Sequence, residues 1–496
     1  MERTAGAGRN LPPLRMGLKL GYAMGAIADG IANNAVNIFL FFYVTAVCGL
    51  PAALAGVALA AGLVVDAVVD PLIGSLSDSS RSRWGRRIPF MAVGAPGIML
   101  FLVLIFSLPD GLSTASLFAW VTMLSIGMRV SISLFVLPFN AVGAELSDNY
   151  EERSSIATWR WGFAMVGALC AVTFGFGVFF GGAKGLSDRG AYLPFALVMA
   201  GLVAVAATIA IRALHLTRDR QHPPSESEGR FHARFGREMS EIFRNRSFRA
   251  LFVGALLLFT ALAVHSTLGI HTNIYFWKLP PEQIQLVTLS LFGGLLLGAP
   301  FAGPALQRVE KRTVLLVGIV GLGLAYTLPP LLRLVGLFPF TGGALVAALS
   351  ATVFAGGALM ASAAISFASM MADAADEHEH LFGARREGLY FAGWAFASKA
   401  ASGFGSLVAG VGLQAIGFPS GAAEHGGAAA VNVAPQVVDW LGIIYGPGSG
   451  LLAMSTGLAC LFYRLDKRKH AAILADLEER RAAAADATEL QPAIGP

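Results

Sequence analysis

The sequence predicts an all-α integral membrane protein of twelve transmembrane helices, and three observations carry that prediction. The first is composition: of 496 residues, 55% are hydrophobic and only 14% are charged, against about 25% charged in an ordinary soluble chain. The second is a set of apolar runs. Residues 88–108, 163–180, 193–211 and 314–332 hold no charged side chain, and each approaches the roughly 20 residues that cross a bilayer as a helix. The third is the sorting of Lys and Arg into alternate loops.

Taken in order, the spans are expected at 18–46, 51–76, 88–108, 115–143, 156–181, 191–213, 247–276, 283–306, 313–335, 341–371, 387–416 and 435–463. Arg3, Arg9 and Arg15 precede the first; Arg81, Arg83, Arg86 and Arg87 lie between the second and third, and Arg153 follows the fourth. Arg308, Lys311 and Arg312 follow the eighth, Arg385 and Arg386 the tenth, and Arg464, Lys467, Arg468 and Lys469 the twelfth. The other side holds little beyond Lys184, Arg189, Lys278 and Arg333. The positive-inside rule therefore puts both termini in the cytoplasm.

The expected organisation is a cytoplasmic N-terminal segment (1–17), a six-helix bundle (18–213), a cytoplasmic linker (214–246), a second six-helix bundle (247–463) and a cytoplasmic tail (464–496). The linker is polar, with Pro223, Pro224 and seven Arg. An internal repeat supports the division. Gly74–Asp78 ends the second span and Gly303–Gln307 the eighth, 229 residues later; Glu145 and Asp373 close the fourth and tenth, 228 apart. Two six-span halves in parallel repeat are how one large class of secondary carriers is built. The Ala/Glu/Arg-rich residues 467–496 read as a surface helix or a disordered segment without assigned function.

Several classes fall away. Basic residues sit in short clusters between spans, so the net charge of +5 does not point to nucleic acid. Cys48, Cys170 and Cys460 are isolated, which suggests neither disulfides nor a metal site. The polar, basic first fifteen residues do not read as a cleavable signal. No nucleophile–base or metal-ligand set suggests an enzyme, and no cofactor is expected. The expected state is a monomer in the lipid bilayer of the cell inner (plasma) membrane.

The chemistry concentrates in span two, which ends Asp66-Ala-Val-Val-Asp70-Pro71. Acids four residues apart share one helical face, a turn from each other. Each charge costs roughly 2.5–3.5 kcal/mol in the membrane interior, and two adjacent carboxylates repel unless a cation lies between them. Pro71 leaves the Ala67 carbonyl without its helical donor. Carboxylates beside a freed carbonyl suit a bare cation; the competing reading is a salt bridge that merely binds the bundle together. Asp29, with Asn33 and Asn34 beside it in span one, and Arg129, Arg160 and Lys399 in spans four, five and eleven are further intramembrane polar or charged groups. Arg160 could instead snorkel to headgroups.

Span seven carries His265, Ser266, Thr267, His271, Thr272, Asn273 and Tyr275, a polar face that suits a hydroxylated ligand or interhelical hydrogen bonds. For the two histidines both readings stay open. Trp159, Phe367 and Trp394 could stack on a sugar or simply pack. At the cytoplasmic helix ends, Asp78, Arg86, Glu145, Arg153, Asp373, Asp376, Arg385 and Glu387 form a charge network expected to latch the two halves in alternation, against a plain reading as solvated surface charge.

These residues resemble one family closely. Asp66-Ala-Val-Val-Asp70-Pro71-Leu-Ile-Gly74, Asp78 and Arg81-Ser-Arg-Trp-Gly-Arg86 are similar to the signature of the glycoside–pentoside–hexuronide:cation symporters, the melibiose-carrier branch of the major facilitator superfamily. The similarity continues through Lys19-Leu-Gly-Tyr22, Pro138-Phe, Gly143-Ala-Glu145, Glu152-Arg153, Arg160, Met371-Ala-Asp373, Arg385-Arg-Glu387 and Lys399, over roughly residues 17–465. The resemblance implies the major facilitator fold and cation binding (Na⁺, Li⁺ or H⁺) at Asp66 and Asp70 beside Lys399, with Arg160 holding the sugar. A helix-four hydroxyl, Ser131 or Ser133, is present. The sequence departs from the family at Val69, which replaces an amide, at the acid-free fourth span, and at Gly30, where the family places a sugar-binding acid next to the present Asp29.

The expected function is therefore secondary active, Na⁺- or H⁺-coupled symport of a sugar, glycoside or uronate by alternating access. Asp66, Asp70 and Ser133 would bind the cation, and Asp29, Asn33, Arg160, Asn273, Tyr275, Phe367 and Lys399 would surround the solute. The alternatives are a carrier of an amphipathic, lysolipid-like solute and a non-transporting membrane sensor.

Overall fold

The computed structural model describes residues 13–143, 145–147, 149–182, 184–220, 240–383, 386–422 and 433–489. Arg385 and residues 221–239 of the linker lie outside the described residues.

The described chain is helical, with no strand. Helices α1 (Met16–Ala23) and α2 (Gly25–Asn34) continue into π-type turns at Ala35–Leu40 and Tyr43–Val47. Then come α3 (Ala52–Ser79), α4 (Ile88–Ile105), α5 (Thr114–Gly143), α6 (Tyr150–Phe174) and α7 (Arg189–Leu216). After the linker follow α8 (Arg246–His271), α9 (Pro281–Arg308), α10 (Lys311–Leu334), α11 (Gly342–Phe382), α12 (Glu387–Ala415), α13 (Pro435–Ile443), α14 (Ser449–Cys460) and α15 (Lys467–Glu489). Among the described residues, ten helices are long and apolar enough to cross a membrane. Polar caps start several of them. Asn149 accepts from the Glu151 and Glu152 amides ahead of α6, and Asp188 accepts from Gly190 ahead of α7.

The tenth expected span differs most from its prediction. Helix α11 has 41 residues and stops only at Gly383, which takes the left-handed conformation (φ 77°). At 1.5 Å per residue it is about 60 Å long, twice the hydrocarbon thickness of about 30 Å. Its acidic last turns, Asp373–Phe382, therefore project beyond the apolar layer, and the tail forms helix α15 beside them.

Contacts gather the chain into two compact units. The first comprises Met1–Gly229, Ala263–Leu289 and Ser402–Tyr445, the second Arg230–Leu262, Ser290–Ala401 and Gly446–Pro496. The first is built on buried aromatic rings, among them Tyr22, Phe39, Tyr43, Phe106, Phe139, Phe176 and Tyr192. Glycines let its helices touch. A Cβ at Gly56 would lie 2.8 Å from the Ser406 carbonyl, and one at Gly62 3.3 Å from that of Ser125. The second unit has its own core around Phe248, Phe367, Met370, Tyr390 and Tyr463.

Candidate functional site

The acid pair of α3 lies in the first unit. Asp66 is 4% exposed, because Gly62 one turn earlier brings α3 against α5. That crossing places Ser133 opposite the carboxylate, and its hydroxyl donates to Asp66 Oδ1 at 2.5 Å. Ser131 turns the other way: its hydroxyl donates to the Gly127 carbonyl at 2.7 Å and faces Gly97. Of the two helix-four hydroxyls, Ser133, the one expected beside the cation, is the one at the acid. Asp70 is half-buried, one turn on and next to Pro71.

One turn before Ser133, Arg129 carries the cation of this region. Its charge acts on Asp66, while its Nη1 and Nη2 make long hydrogen bonds to Asn33 Oδ1 (3.5 Å) and Asn37 Oδ1 (3.3 Å). The Asn33 amide in turn donates to Asp29 Oδ1 at 2.7 Å. Asp29, Asn33, Arg129, Asp66 and Ser133 thus form one polar path across α2, α5 and α3. A guanidinium facing a buried carboxylate moderates the cost of both charges, and each retains polar partners. The sequence showed Arg129 as a lone intramembrane charge, but its place between Asp29 and Asp66 depends on how the helices cross.

Gly30, next to Asp29, packs α2 directly against α6. A Cβ there would collide with the Ala164 carbonyl of α6, so no side chain fits at position 30. Arg160, half-buried on α6, interacts with the Tyr22 hydroxyl, which donates to the Phe139 carbonyl at 2.8 Å.

The remaining candidates are more dispersed. Asn273 and Tyr275 lie in the π-type turn Thr272–Phe276 that ends α8, with the buried Tyr275 ring edge-on to Phe418 at 5.0 Å. Phe367 is buried in the core of the second unit, stacked on Trp394 at 5.9 Å. Lys399 is half-buried on α12, also in the second unit.

Charges of the helix-end network pair inside each sequence half. Glu145 accepts from Arg86 and, at 2.9 Å, from Arg87, which also reaches Asp78 at 2.7 Å. Arg153 donates to the Ser147 carbonyl at 2.6 Å. In the second half, Lys311 lies 2.7 Å from Asp373, and His470 of the tail lies 3.6 Å from Asp373 and 3.1 Å from Asp376. Arg481 joins Glu379 at 2.7 Å, and His380 joins Asp476 at 2.9 Å. Glu387 stands in the first turn of α12. The tail's part in this cluster was not foreseen from sequence, where its charges look like those of any solvated helix.

The sequence profile of the MFS/sugar transport proteins matches residues 21–467. The chain belongs to that family. It is similar to the isoprimeverose transporter of Lactiplantibacillus pentosus, 26% identical over 473 residues, covering 94% of this chain and 91% of that one. It is also similar to the inner membrane symporter YicJ of Escherichia coli, 25% identical over 403 residues, covering 79% and 81%. Among solved structures it shares its fold with the xylose transporter XylE of E. coli in a partially occluded inward open conformation. There the TM-score is 0.58 at 12% identity, covering 91% of this chain and 98% of that one. The chain is a multi-pass transporter of the plasma membrane. Its place in the glycoside–pentoside–hexuronide:cation branch, expected from the span-two block, agrees with these relatives.

Proposed function

We propose that this chain is a cation-coupled symporter that imports a sugar, glycoside or uronate by alternating access across twelve spans, with both termini cytoplasmic. Among the described residues ten helices meet the length and composition of a span, and the helical path 16–47 and α12 stand where the first and eleventh are expected. The relatives that align over most of the chain include an isoprimeverose transporter and an inner membrane symporter, which favours a sugar-type solute over a lysolipid.

One observation carries the coupling assignment: a buried Asp66 held by Ser133 and lying in the field of Arg129, with Asp70 one turn away. In this reading Asp66, Asp70 and Ser133 bind the cation. Its arrival changes the field on Arg129, and through Asn33 that change reaches Asp29, which faces the solute with Arg160. Lys399 communicates with the pair from α12. Asn273, Tyr275 and Phe367 take part in enclosing the solute, and the cytoplasmic charge network gates the inner end.

The test is accumulation of labelled solute in proteoliposomes under an imposed Na⁺ gradient at constant pH, and separately under a pH gradient without Na⁺. One gradient drives uphill uptake and names the ion. Asp66→Asn with Asp70→Asn abolishes that uptake while exchange of solute at equilibrium continues. Full uphill uptake by the double variant, or no uptake under either gradient across a panel of sugars and uronates, sinks the proposal.

A further inference from the structure

His271 is a polar residue whose place in the transport cycle the acid pair does not explain. It is wholly buried, at 0% exposure, at the end of α8. Its Nε2 lies 3.0 Å from the hydroxyl of Thr45 on the first helical path. The single Thr45 hydrogen goes to the Phe41 carbonyl at 2.7 Å, so the bond pattern assigns the Nε2 hydrogen to His271, with Thr45 as acceptor. Three rings close around the imidazole edge-on: Phe41 at 5.5 Å, Phe42 at 5.0 Å and Phe418 at 5.4 Å.

The contact is one of several in the first unit that join segments from the two sequence halves away from the charged loops. The Gly421 amide donates to the Thr45 carbonyl at 2.9 Å, the Ala53 amide to Gln414 Oε1 at 3.1 Å, and the Gly182 amide to Glu282 Oε1 at 3.3 Å. Only Thr45–His271 joins two side chains in this set, and it sits in the driest surroundings. No described protein group reaches His271 Nδ1 or the buried Tyr275 hydroxyl. A bond gained at Nε2 is offset by polar atoms withdrawn from water.

We propose that the Thr45–His271 hydrogen bond, boxed by Phe41, Phe42 and Phe418, is the side-chain contact that closes the outer end of the carrier. The proposal rests on the alternating-access reading above, in which the ends opposite the basic loops face outward. An outer gate must be made and broken once per cycle. A single side-chain bond with unsatisfied neighbours has the modest strength that such a step needs.

The test reads accessibility, not transport. Asn37 is exposed and lies about two turns, roughly 12 Å, before Thr45 on the first helical path, on the side away from the outer end. With Cys48, Cys170 and Cys460 replaced by alanine, Asn37→Cys reports how fast a membrane-impermeant maleimide, added outside right-side-out vesicles, passes the outer end and reaches position 37. Loss of one net hydrogen bond corresponds to roughly fivefold, so His271→Leu and Thr45→Val each raise the labelling rate by about that factor. The double variant labels no faster than either single one, since both remove the same bond. His271→Gln, which keeps an N–H donor, labels near the parent rate. Unchanged labelling in either single variant, or effects that multiply in the double, overturns the proposal. If His271→Leu does not accumulate in the membrane, Thr45→Val against His271→Gln carries the same decision. Failure of the Asp66 and Asp70 variants to stop uphill uptake sinks the coupling assignment and leaves these rates as they are.

Discussion

The two sequence halves treat corresponding positions in opposite ways. The 229-residue offset that sets Pro71 against Pro300 and Gly74 against Gly303 pairs Asp66 with Leu295 and Asp70 with Ala299. The 228-residue offset that pairs Glu145 with Asp373 puts Gly357 at the place of Arg129 and Ala361 at that of Ser133. In the first half, α3 and α5 leave room for a guanidinium and a hydroxyl beside a carboxylate. In the second, α9 and α11 meet backbone to backbone: a Cβ on Gly357 would lie 3.1 Å from the Leu295 amide nitrogen. At the loops the halves agree, with Arg87 on Glu145 at 2.9 Å and Lys311 on Asp373 at 2.7 Å. Both halves keep a proline at the matched position and a loop clamp, but the carboxylate pair with its neighbouring guanidinium stands in one. A second charged network would add its own insertion cost, roughly 2.5–3.5 kcal/mol for each charge at the membrane centre, and coupling needs only one.

That contrast can be broken experimentally, beginning where the effect is largest. Gly357→Arg, which copies the first half into the second, combines overpacking with a new intramembrane charge, roughly 4–6 kcal/mol in all. Detergent-stable protein is expected to disappear on size-exclusion chromatography. A parental yield would show that α9 and α11 do have the room denied to them above. Leu295→Asp adds charge with less crowding, at about 3 kcal/mol. It should lower the thermal midpoint without adding a second cation-binding equivalent in calorimetry; a second equivalent would mean both halves can host the ion. Ser133→Ala removes a hydrogen bond to a charged group, worth about 1.5–3 kcal/mol. It is expected to raise the half-saturating cation concentration for uptake tenfold or more, whereas Ala361→Thr leaves it alone. Smallest are the loop clamps: Arg87→Gln and Lys311→Gln each cost about 1 kcal/mol or less, and similar shifts in thermal midpoint would confirm that the halves are alike at that level.

The helix limits were legible to within a few residues for most of the expected spans, because apolar length and loop charge are linear properties of a chain. Helix α11 escaped, since its last turns from Asp373 to Phe382 are acidic and read as loop; the structure extends the helix and sets α15 against it through His470 and Arg481. The acid pair was legible because two carboxylates four apart in an apolar run have no cheap explanation. Its surroundings were legible only in outline. The contact of the Ser133 hydroxyl with Asp66, and the turning of Ser131 away from it, depend on the rotation of α5 about its axis. Placing Arg129 between Asn33 and Asp66 needed the approach of α2, α3 and α5, and explaining Gly30 needed the Ala164 carbonyl of α6.

Sequence by itself therefore determined that the chain crosses a membrane many times and carries two carboxylates on one face of the second span. Hydrophobicity and helical spacing act along the chain and can be read there. Which hydroxyl and which cation meet Asp66, and that His271 closes on Thr45, were decided only by tertiary structure. Those partners lie 63 to 226 residues apart, and whether they meet depends on the crossing and rotation of packed helices.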